Sequence, residues 1–302
     1  MSEVLTFGET LVGFRTEGSL RLPGMLQADV RGAESNVAIG LARLGHSVAW
    51  VSRVSVDAYG DEVLRALRSE GVDVGGVVRD ERPTGLMLIQ QRTADVAVVE
   101  YRRAGSAASG LVAADVRWVE APRLLHVTGI TPALSDSCRE AVVDAAERAR
   151  ADGALVTFDV NYRATLWSRE RASEVLREVV PYADVVIAGE DELSLVGSAD
   201  ELLELGVHEV VIKRGSAGAT SVSSEGSWEE PAVSVTVVDP IGAGDAFCAG
   251  WISAWLEGAS VAGRMRRGVV CGSFAVSTYG DTAGLPRRSE LGLLGAADTT
   301  VR

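Results

Sequence analysis

The sequence predicts an α/β protein with three layers, in which helices cover both faces of a mostly parallel β-sheet. Short apolar runs typical of buried strands alternate with segments of helical periodicity along most of the 302 residues. Several helical segments are followed by a glycine, the residue that most readily adopts a left-handed C-cap. Neither a linker nor an internal repeat interrupts the pattern, so a single domain over residues 1–302 is expected.

The amino-terminal part begins with a short buried strand over residues 4–8 and continues with a glycine-punctuated stretch up to Gly32, in which irregular strands are expected. Two helices, each followed by a strand, come next. The first helix opens at Ser35-Asn36 and ends at Gly45, and the second ends at Gly71. The predicted bounds are 48–54 for the strand between them, 61–70 for the second helix and 72–78 for the strand after it.

A β-hairpin is predicted where this alternation stops. Residues 86–91 and 96–103 are β-type runs, and the four residues Arg92-Thr93-Ala94-Asp95 between them are too few for a crossover helix. The alternation resumes afterwards. Further strands are predicted at residues 124–127, 154–159, 185–188 and 210–213 and within 228–238, and helices at 137–151, 168–180, 246–256 and 261–277.

Composition argues against several classes of function. The formal net charge of −13 argues against nucleic acid as a partner, because phosphate backbones are bound mainly by clustered Lys and Arg. No apolar run reaches the ~20 residues that cross a membrane, so a cytoplasmic protein without a membrane partner is expected. The three widely spaced cysteines indicate neither a disulfide framework nor a metal cluster. Lys213 is the only lysine, so nearly all the basic residues are arginines. A high-salt cytoplasm or a GC-rich genome would explain this preference for arginine equally well.

The most informative motif is Asp239-Pro240-Ile241-Gly242-Ala243-Gly244-Asp245-Ala246-Phe247, where a strand ends, a loop of small residues turns and a helix begins. Glycines let the backbone approach a phosphate, so the amides of Gly242, Ala243 and Gly244 would stabilise the charge of a phosphoryl group during transfer. Asp245 lies in the first helical turn, where it is predicted to accept the proton of an attacking hydroxyl. The alternative is that Asp245 only satisfies free amides at the helix start.

Two further motifs have the composition of ligand-binding turns. Gly32-Ala33-Glu34-Ser35-Asn36-Val37-Ala38 opens a helix and offers the amide of Asn36 to a hydroxyl. Lys213-Arg214-Gly215-Ser216-Ala217-Gly218 ends a strand with two cations and two glycines, which suits contact with the β- or γ-phosphate. Each also has an ordinary structural explanation, since Ser and Asn are common helix caps and the second motif fits a plain turn.

The first two of these three motifs resemble the two signatures of the ribokinase-like, or pfkB, family of carbohydrate kinases, and they lie at the expected ends of the chain. The resemblance covers essentially all 302 residues. Within the family the sequence is most similar to 2-keto-3-deoxygluconate kinases. The segments that carry this similarity are residues 32–44, 101–108, 126–130 and 159–163 with Leu166-Trp167.

The resemblance implies a Rossmann-type three-layer α/β/α core with a small β-sheet lid, formed here by residues 10–32 and 84–104, that covers the sugar. Strand geometry places Tyr101 and Arg103 on one face, and two guanidinium groups, those of Arg103 and Arg163, suit a substrate carboxylate. Alternatively, either arginine is a solvated surface charge. The resemblance assigns the sugar acid to Gly32, Asn36, Tyr101, Arg103 and Arg163.

The resemblance also implies that ATP lies across the carboxyl ends of the later strands together with Mg²⁺. The residues assigned to ATP are Asn161, Lys213, Gly215, Gly218, Gly242 and Gly244. Glu192 matches the acidic end of a motif linked to Mg²⁺ and phosphate, or is a carboxylate at a helix N-terminus. Some relatives bind a monovalent cation such as K⁺ near Asp239 and residues 277–281, and the sequence leaves this open.

Three positions depart from the family pattern. Gly189 stands where many relatives have Asn, and this change argues against a direct contact between that position and the metal. Ser55 stands where relatives usually have a glycine. Met87 stands where sugar-acid kinases often have a tyrosine in the lid, and this change bears on the substrate rather than on the kinase reaction.

Together these observations predict ATP-dependent phosphorylation of a sugar acid, with 2-keto-3-deoxygluconate converted to its 6-phosphate and Asp245 as the base. The alternatives are a kinase for a neutral sugar such as fructose or ribose, and a regulator that binds sugar or nucleotide without catalysis. A dinucleotide-dependent dehydrogenase is set aside because no G-x-G-x-x-G follows the first strand. An exposed face of the lid sheet predicts a dimer or larger homo-oligomer.

Overall fold

The computed structural model describes residues 2–21, 24–93 and 96–294, and in this part of the chain helices flank a large central sheet. In chain order the strands are β1 (Val4–Phe7), β2 (Leu11–Glu17), β3 (Gln27–Arg31), β4 (Val48–Val51), β5 (Arg53–Ser55), β6 (Val78–Asp80), β7 (Leu86–Gln91), β8 (Ala97–Arg102), β9 (Leu124–Thr128), β10 (Leu155–Asp159), β11 (Val185–Gly189), β12 (Glu209–Lys213), β13 (Ala219–Ser223) and β14 (Gly226–Glu230). The helices are α1 (Ala33–Arg43), α2 (Ala58–Ser69), α3 (Asp136–Ala151), α4 (Arg169–Leu176), α5 (Ala199–Glu204), α6 (Ala243–Leu256) and α7 (Val261–Val276).

The central sheet has the strand order β14-β13-β12-β11-β10-β9-β1-β4. Every neighbouring pair from β4 to β12 is parallel, and β13 and β14 are added antiparallel at one edge. Parallel neighbours need long connections, which the helices supply. The carboxyl ends of β10, β11 and β12 therefore lie side by side, which is where such sheets bind ligands.

Alternate residues of the central strands face opposite layers of helices. Val4 and Ile187 belong to a core cluster packed with α1, α2, α6 and α7, whereas Leu5 and Val186 belong to a second cluster packed with α3, α4 and α5. Successive side chains of a strand point to opposite faces, so a continuous apolar run fills both cores. The predicted three-layer α/β fold is confirmed.

A smaller sheet of four strands, ordered β3-β2-β7-β8, packs beside the central one. One of its faces carries a small apolar cluster of Leu11, Met87 and Ile89, against which Val99 and Tyr101 pack. These four strands fall within the two segments, residues 10–32 and 84–104, that the sequence assigned to a lid.

Several element bounds differ from the sequence-based expectation. The expected strand over residues 48–54 is divided, because β5 leaves the central sheet at Ser52 and pairs with β6. The expected strand over 72–78 is wrong for most of its length, since only Asp73 bridges to the central sheet before β6 begins.

At the carboxyl end, β14 stops at Glu230, so residues 231–238 are not strand, and neither α5 nor β13 was predicted. Helix α6 starts three residues earlier than expected, at Ala243. Ala94 and Asp95 of the predicted hairpin turn, and Leu22 and Pro23 of the first expected lid segment, lie outside the described residues.

The structure describes all three cysteines and the helices whose length and polarity bear on membrane spanning. Cys138, Cys248 and Cys271 are free thiols in the interior, and burial raises the pKa of Cys138 to about 11. Among the described residues, the helices are too short or too polar for any of them to span a lipid bilayer.

Candidate active site

A cleft of about 900 Å³ is lined by the carboxyl ends of the central strands, the start of α6 and the four-stranded sheet. The chain contributes to it from both halves, which only the fold brings together. All the residues predicted for the site line this cleft: Gly32, Asn36, Tyr101, Arg103, Asn161, Arg163, Glu192, Lys213, Gly215, Gly218, Gly242, Ala243, Gly244 and Asp245.

Asp245 lies in the first turn of α6 and is only 7% exposed. Its Oδ2 accepts a hydrogen bond of 2.8 Å from Asn36 Nδ2, and its Oδ1 lies 3.4 Å from Asn161 Nδ2. Burial raises the pKa of Asp245 to about 7, although the Asn36 hydrogen bond and the charge of Arg163 oppose this shift. A carboxylate that titrates near neutral pH is matched to general base catalysis.

The loop before Asp245 presents backbone amides to the cleft. Gly242 caps α6 with a left-handed φ of 80°, and a Cβ placed there would lie 2.8 Å from the carbonyl oxygen of Asp281. The first intrahelical bond runs from Ala246 N to Gly242 O, so the amides of Gly244 and Asp245 precede it. Free amides at a helix start form a site for an anion such as a phosphoryl group.

The two asparagines beside Asp245 each have an unpaired acceptor. Asn161 adopts a left-handed φ of 40°, which is uncommon for a residue with a side chain and costs conformational energy. The Oδ1 atoms of Asn36 and Asn161 are buried without a hydrogen-bond partner in the described structure. Such an acceptor is costly to leave unpaired, so both oxygens suit the donor of a bound hydroxyl or water.

Lys213 reaches the cleft but already has a charged partner. Its Nζ donates to both carboxylate oxygens of Asp159, at 2.9 and 2.8 Å, and Asp159 is only 1% exposed. A Cβ on Gly244 would lie 3.2 Å from the same Nζ. The ammonium group therefore lies directly beside the amide loop of α6, held there by Asp159.

The two glycines that follow Lys213 differ in how strictly the fold requires them. Gly218 has a φ of 94°, and a Cβ there would lie 2.0 Å from the carbonyl oxygen of Glu230. Gly215 has a φ of 53° but open space around it. The chain reverses at these glycines to enter β13, and both line the cleft.

The sheet side of the cleft carries an ion pair that the sequence did not predict. Arg103 donates through Nε to Glu9 Oε2 at 2.6 Å, its guanidinium lies 5.6 Å from the ring centroid of Tyr101, and the Glu9 carboxylate is fully buried. Ser106 also donates to Glu9. Arg163, by contrast, is exposed and donates only to the Tyr162 carbonyl among the described contacts. Of the two predicted arginines, Arg163 is therefore the one whose charge is available to a ligand.

Glu192 is held by backbone amides. Its Oε1 accepts from Tyr162 N at 2.9 Å and its Oε2 from Gly189 N at 2.7 Å. Burial and the nearby charge of Asp159 raise the pKa of Glu192, a shift that a bound cation would oppose. No group of three or more His, Cys, Asp or Glu within the described ranges could hold a metal by itself. Mg²⁺ is commonly bound by one or two carboxylates together with nucleotide phosphates, so Glu192 fits that kind of site.

Sequence reasoning assigned no binding or catalytic role to several residues that line the cleft. Glu9 and Arg31 belong to the stretch up to Gly32 in which only irregular strands were expected, and Asp281 was noted only as the end of a segment near a cation site of relatives. Six further residues form an apolar part of the cleft that suits a flat nucleotide base. They are Val233, Val235, Val237, Phe247, Val269 and Val276. The valines at positions 233, 235 and 237 alternate with period two, which the sequence analysis interpreted as strand.

The sequence matches the family model described as pfkB family carbohydrate kinase over residues 1–288. The chain belongs to the pfkB family. Among curated members, it is 37% identical to the 2-dehydro-3-deoxygluconokinase of Bacillus subtilis (strain 168), with 99% of this chain and 97% of the relative covered. It is 32% identical to the 2-dehydro-3-deoxygalactonokinase of Haloferax volcanii, with 93% of each chain covered.

Solved structures of pfkB kinases share the fold. A PfkB protein from Polaromonas sp. JS666 matches with a TM-score of 0.87 and 36% identity over 96% of this chain and 99% of that one. A putative ribokinase II from E. coli in complex with ATP and Mg²⁺ matches with a TM-score of 0.87 and 26% identity, over 96% and 98% of the two chains. The predicted ribokinase-like fold and the prediction of a carbohydrate kinase are both confirmed.

Proposed function

We propose that this pfkB kinase transfers the γ-phosphoryl group of ATP to the 6-hydroxyl of 2-keto-3-deoxygluconate, also called 2-dehydro-3-deoxygluconate. The observation that carries the reaction is the buried Asp245 carboxylate, which Asn36 holds at the start of α6, where free backbone amides line the same cleft. The choice of sugar is supported by the 37% identity to the Bacillus subtilis 2-dehydro-3-deoxygluconokinase.

In the proposed reaction, the sugar hydroxyl attacks the γ-phosphorus as its proton passes to Asp245. A bond forms between the hydroxyl oxygen and phosphorus, the bond from phosphorus to the β-phosphate oxygen breaks, and ADP leaves. The amides of Gly242 and Gly244 stabilise the equatorial oxygens, and Lys213 adds a positive charge beside them. The amide of Ala243, which was also predicted for this role, donates to the carbonyl of Pro240 at 3.5 Å. Mg²⁺, held by the phosphates and on the protein side by Glu192, would neutralise charge on the transferring group.

The remaining predicted residues divide between the two substrates. Gly215, Gly218 and Asn161 lie near the phosphates, and the apolar part of the cleft receives the adenine base. The four-stranded sheet acts as a lid that excludes water from the transfer site, with Tyr101 facing the sugar. Gly32, Asn36, Tyr101, Arg103 and Arg163 form the sugar side.

Arg163 binds the substrate carboxylate in this proposal, because the guanidinium of Arg103 is already paired with buried Glu9. In an ADP-release assay, kcat/KM for 2-keto-3-deoxygluconate should exceed the values for fructose, ribose and adenosine by about 10²-fold or more. The galacto epimer, assayed in parallel, measures how strictly the stereochemistry is read. The Arg163→Ala variant should raise the KM for the sugar acid about tenfold and leave the KM for neutral sugars unchanged.

Arg171→Ala removes an exposed arginine of α4 that pairs with Glu174, and it serves as the matched control with unchanged KM. Turnover of a neutral sugar far above that of the sugar acid, unaffected by Arg163→Ala, would identify a neutral-sugar kinase instead. Ligand binding without any release of ADP would identify a regulator.

We also propose that two copies associate through the outer face of the four-stranded sheet. Val96 and Val98 are 51% and 48% exposed on or beside its edge strand β8, and exposed apolar strand edges favour pairing. Light scattering is expected to give about twice the chain mass of 31.7 kDa, and Val98→Asp to reduce it to one chain mass. A wild-type protein that stays at one chain mass at every concentration would refute the dimer.

Two further parts of the proposal concern the surroundings of the enzyme. We place the reaction in the cytoplasm, where ATP is available.

Some relatives bind a monovalent cation in the region of Asp239 and Asp281. In this structure Asp239 pairs with Arg15 and Asp281 pairs with Arg31, two arginines of the four-stranded sheet. Each of these carboxylates is therefore already neutralised by a guanidinium group.

A further inference from the structure

Asp281 lies in the loop after α7 and is only 7% exposed, at the wall of the cleft beside the amide loop. Its Oδ2 accepts a hydrogen bond of 3.3 Å from Asn36 Nδ2, the same nitrogen that donates to Asp245. Its backbone packs so closely on Gly242 that a Cβ there would lie 3.1 Å from the Cα of Asp281. Asp281 therefore contacts both the partner of Asp245 and the loop that forms the anion site.

Arg31 connects this carboxylate to the four-stranded sheet. It ends β3, is only 2% exposed, and donates through Nη1 to Asp281 Oδ1. Its Nε and Nη2 donate to the two oxygens of Asp29, at 2.7 and 2.6 Å. These three hydrogen bonds fix the buried guanidinium in position, and its charge compensates that of Asp281.

We propose that Asp281 is a positioning residue of the transfer site, which holds the Asn36 amide against Asp245 and links it through Arg31 to the four-stranded sheet. The proposal rests on the proposed role of Asp245 as the base. Asn36 Nδ2 carries two hydrogens, and the two carboxylates accept from it on either side, so neither the amide nor Asp245 is free to rotate. A base held in this way keeps its lone pair directed at the hydroxyl.

The charges around Asp245 give this arrangement an electrostatic consequence. The amides of Asn36, from α1, and Asn161, from the segment after β10, donate to Asp245. Arg163, from the same segment after β10, brings a positive charge near it. Asp159, at the end of β10, and Asp281, in the loop after α7, bring negative charges. Lys213 from β12 lies beside Asp159. The negative charge of Asp281 disfavours ionisation of Asp245, so a neutral residue at position 281 should make Asp245 a stronger acid.

The pKa of Asp245 can be measured without any sugar, by ¹³C NMR titration of carboxyl-labelled aspartate with the signal assigned through Asp245→Asn. In Asp281→Asn, this pKa is expected to fall by about half a unit or more relative to wild type, since a like charge is removed. The acid limb of kcat/KM should move to lower pH by the same amount. At the same time, kcat on the pH plateau should fall about tenfold because Asn36 is less well held. Asp281→Ser, a smaller neutral replacement, should reproduce the shift if Asp281→Asn does not fold.

Double replacement tests the connection to Arg31. Arg31→Gln should also lower plateau kcat about tenfold, and the variant with both changes should lose about as much as either alone, since residues that act through one another are not additive. The matched control is Glu209→Gln, which removes an equally buried carboxylate that accepts from Arg264 and Ser221 away from the cleft. It should change neither the pKa of Asp245 nor kcat.

Three outcomes would overturn the proposal in folded variants: an unmoved pKa of Asp245, wild-type kcat in Asp281→Asn, or losses that multiply in the double variant. Failure of the wild-type chain to phosphorylate any sugar would count against the proposed function instead. The NMR titration would still decide whether Asp281 acts on Asp245.

Discussion

Asp245→Asn is expected to lower kcat by about 10²-fold or more, since a positioned general base contributes about 10²- to 10⁴-fold to such reactions. The substitution keeps the size of the side chain but removes its ability to accept the hydroxyl proton. The carboxylate lies between two amide donors at the helix start and not at the adenine end of the cleft, so affinity for ATP should be retained. Steady-state assays with the sugar acid, together with calorimetric titration of ATP, separate the two effects.

The same substitution should change the pH dependence of stability. The pKa of Asp245 is raised from 3.8 to about 7 by burial, so the folded state binds this proton more tightly than the unfolded state does. Its contribution to stability is fully present below pH 3.8 and is lost progressively as pH rises from there to about 7. The Tm of Asp245→Asn relative to wild type should therefore increase as pH rises over this range and stay constant above about pH 7.

Asp184→Asn is the matched control for this variant. Asp184 is also 7% exposed, but it accepts from the backbone amide of Val156 and does not line the cleft. Its replacement should leave kcat unchanged even where it lowers Tm. Turnover at the wild-type rate in Asp245→Asn would remove Asp245 from the mechanism.

Gly242→Ala is expected to reduce kcat by about 10²-fold, the size of effect seen when a donor to developing negative charge is lost. The left-handed φ of 80° costs a non-glycine residue about 1 kcal/mol or more, and the new Cβ would lie 2.8 Å from the carbonyl oxygen of Asp281. To relieve this contact, the amide loop must move away from the position of the phosphoryl group. Measurement of kcat and of ATP affinity should show a loss mainly in kcat.

Gly258→Ala separates backbone strain from loss of the amide site. Gly258 lies two residues beyond the end of the same helix, α6, with a φ of 73° and no atom within 4 Å of an added Cβ. Both variants should lose stability from the left-handed backbone, Gly242→Ala the more because of its contact with Asp281, and only Gly242→Ala should lose activity. Equal activity in the two variants would contradict the assigned role of the loop.

The strands that were predicted well are those with a local apolar signal. The bounds of β9 and β11 differ from the expectation by a single residue at the carboxyl end, because continuous apolar runs in a doubly covered sheet stand out in sequence. The sequence of β13, Ala-Thr-Ser-Val-Ser, has a weaker apolar signal and was missed. Residues 231–238 continue the same alternation as a strand, but they pair with no strand in the fold, and five of them, residues 232–235 and 237, line the cleft.

Side-chain partners within the site were beyond the reach of the sequence. Arg103 and Arg163 have the same chemistry, and both line the cleft. Of these two, the fold pairs only Arg103 with a buried carboxylate, that of Glu9, which lies 94 positions earlier in the sequence. Lys213 was assigned to phosphate alone, and its bond to Asp159 depends on the adjacency of β10 to β11 and of β11 to β12. Such pairings depend on strand order rather than on spacing along the chain.

The sequence by itself determined the three-layer fold, the family and many of the polar residues and glycines that line the cleft, because helix starts, glycine turns and strand ends are marked by local composition. Tertiary structure alone decided which of these groups carry a partner. Asn36 meets Asp245 across 209 positions, and Asp281 meets Asn36 across 245, because α1, α6 and the loop after α7 pack against one another. Burial at that junction removes water from the carboxylate and so raises its pKa to about 7, a property that no local pattern encodes.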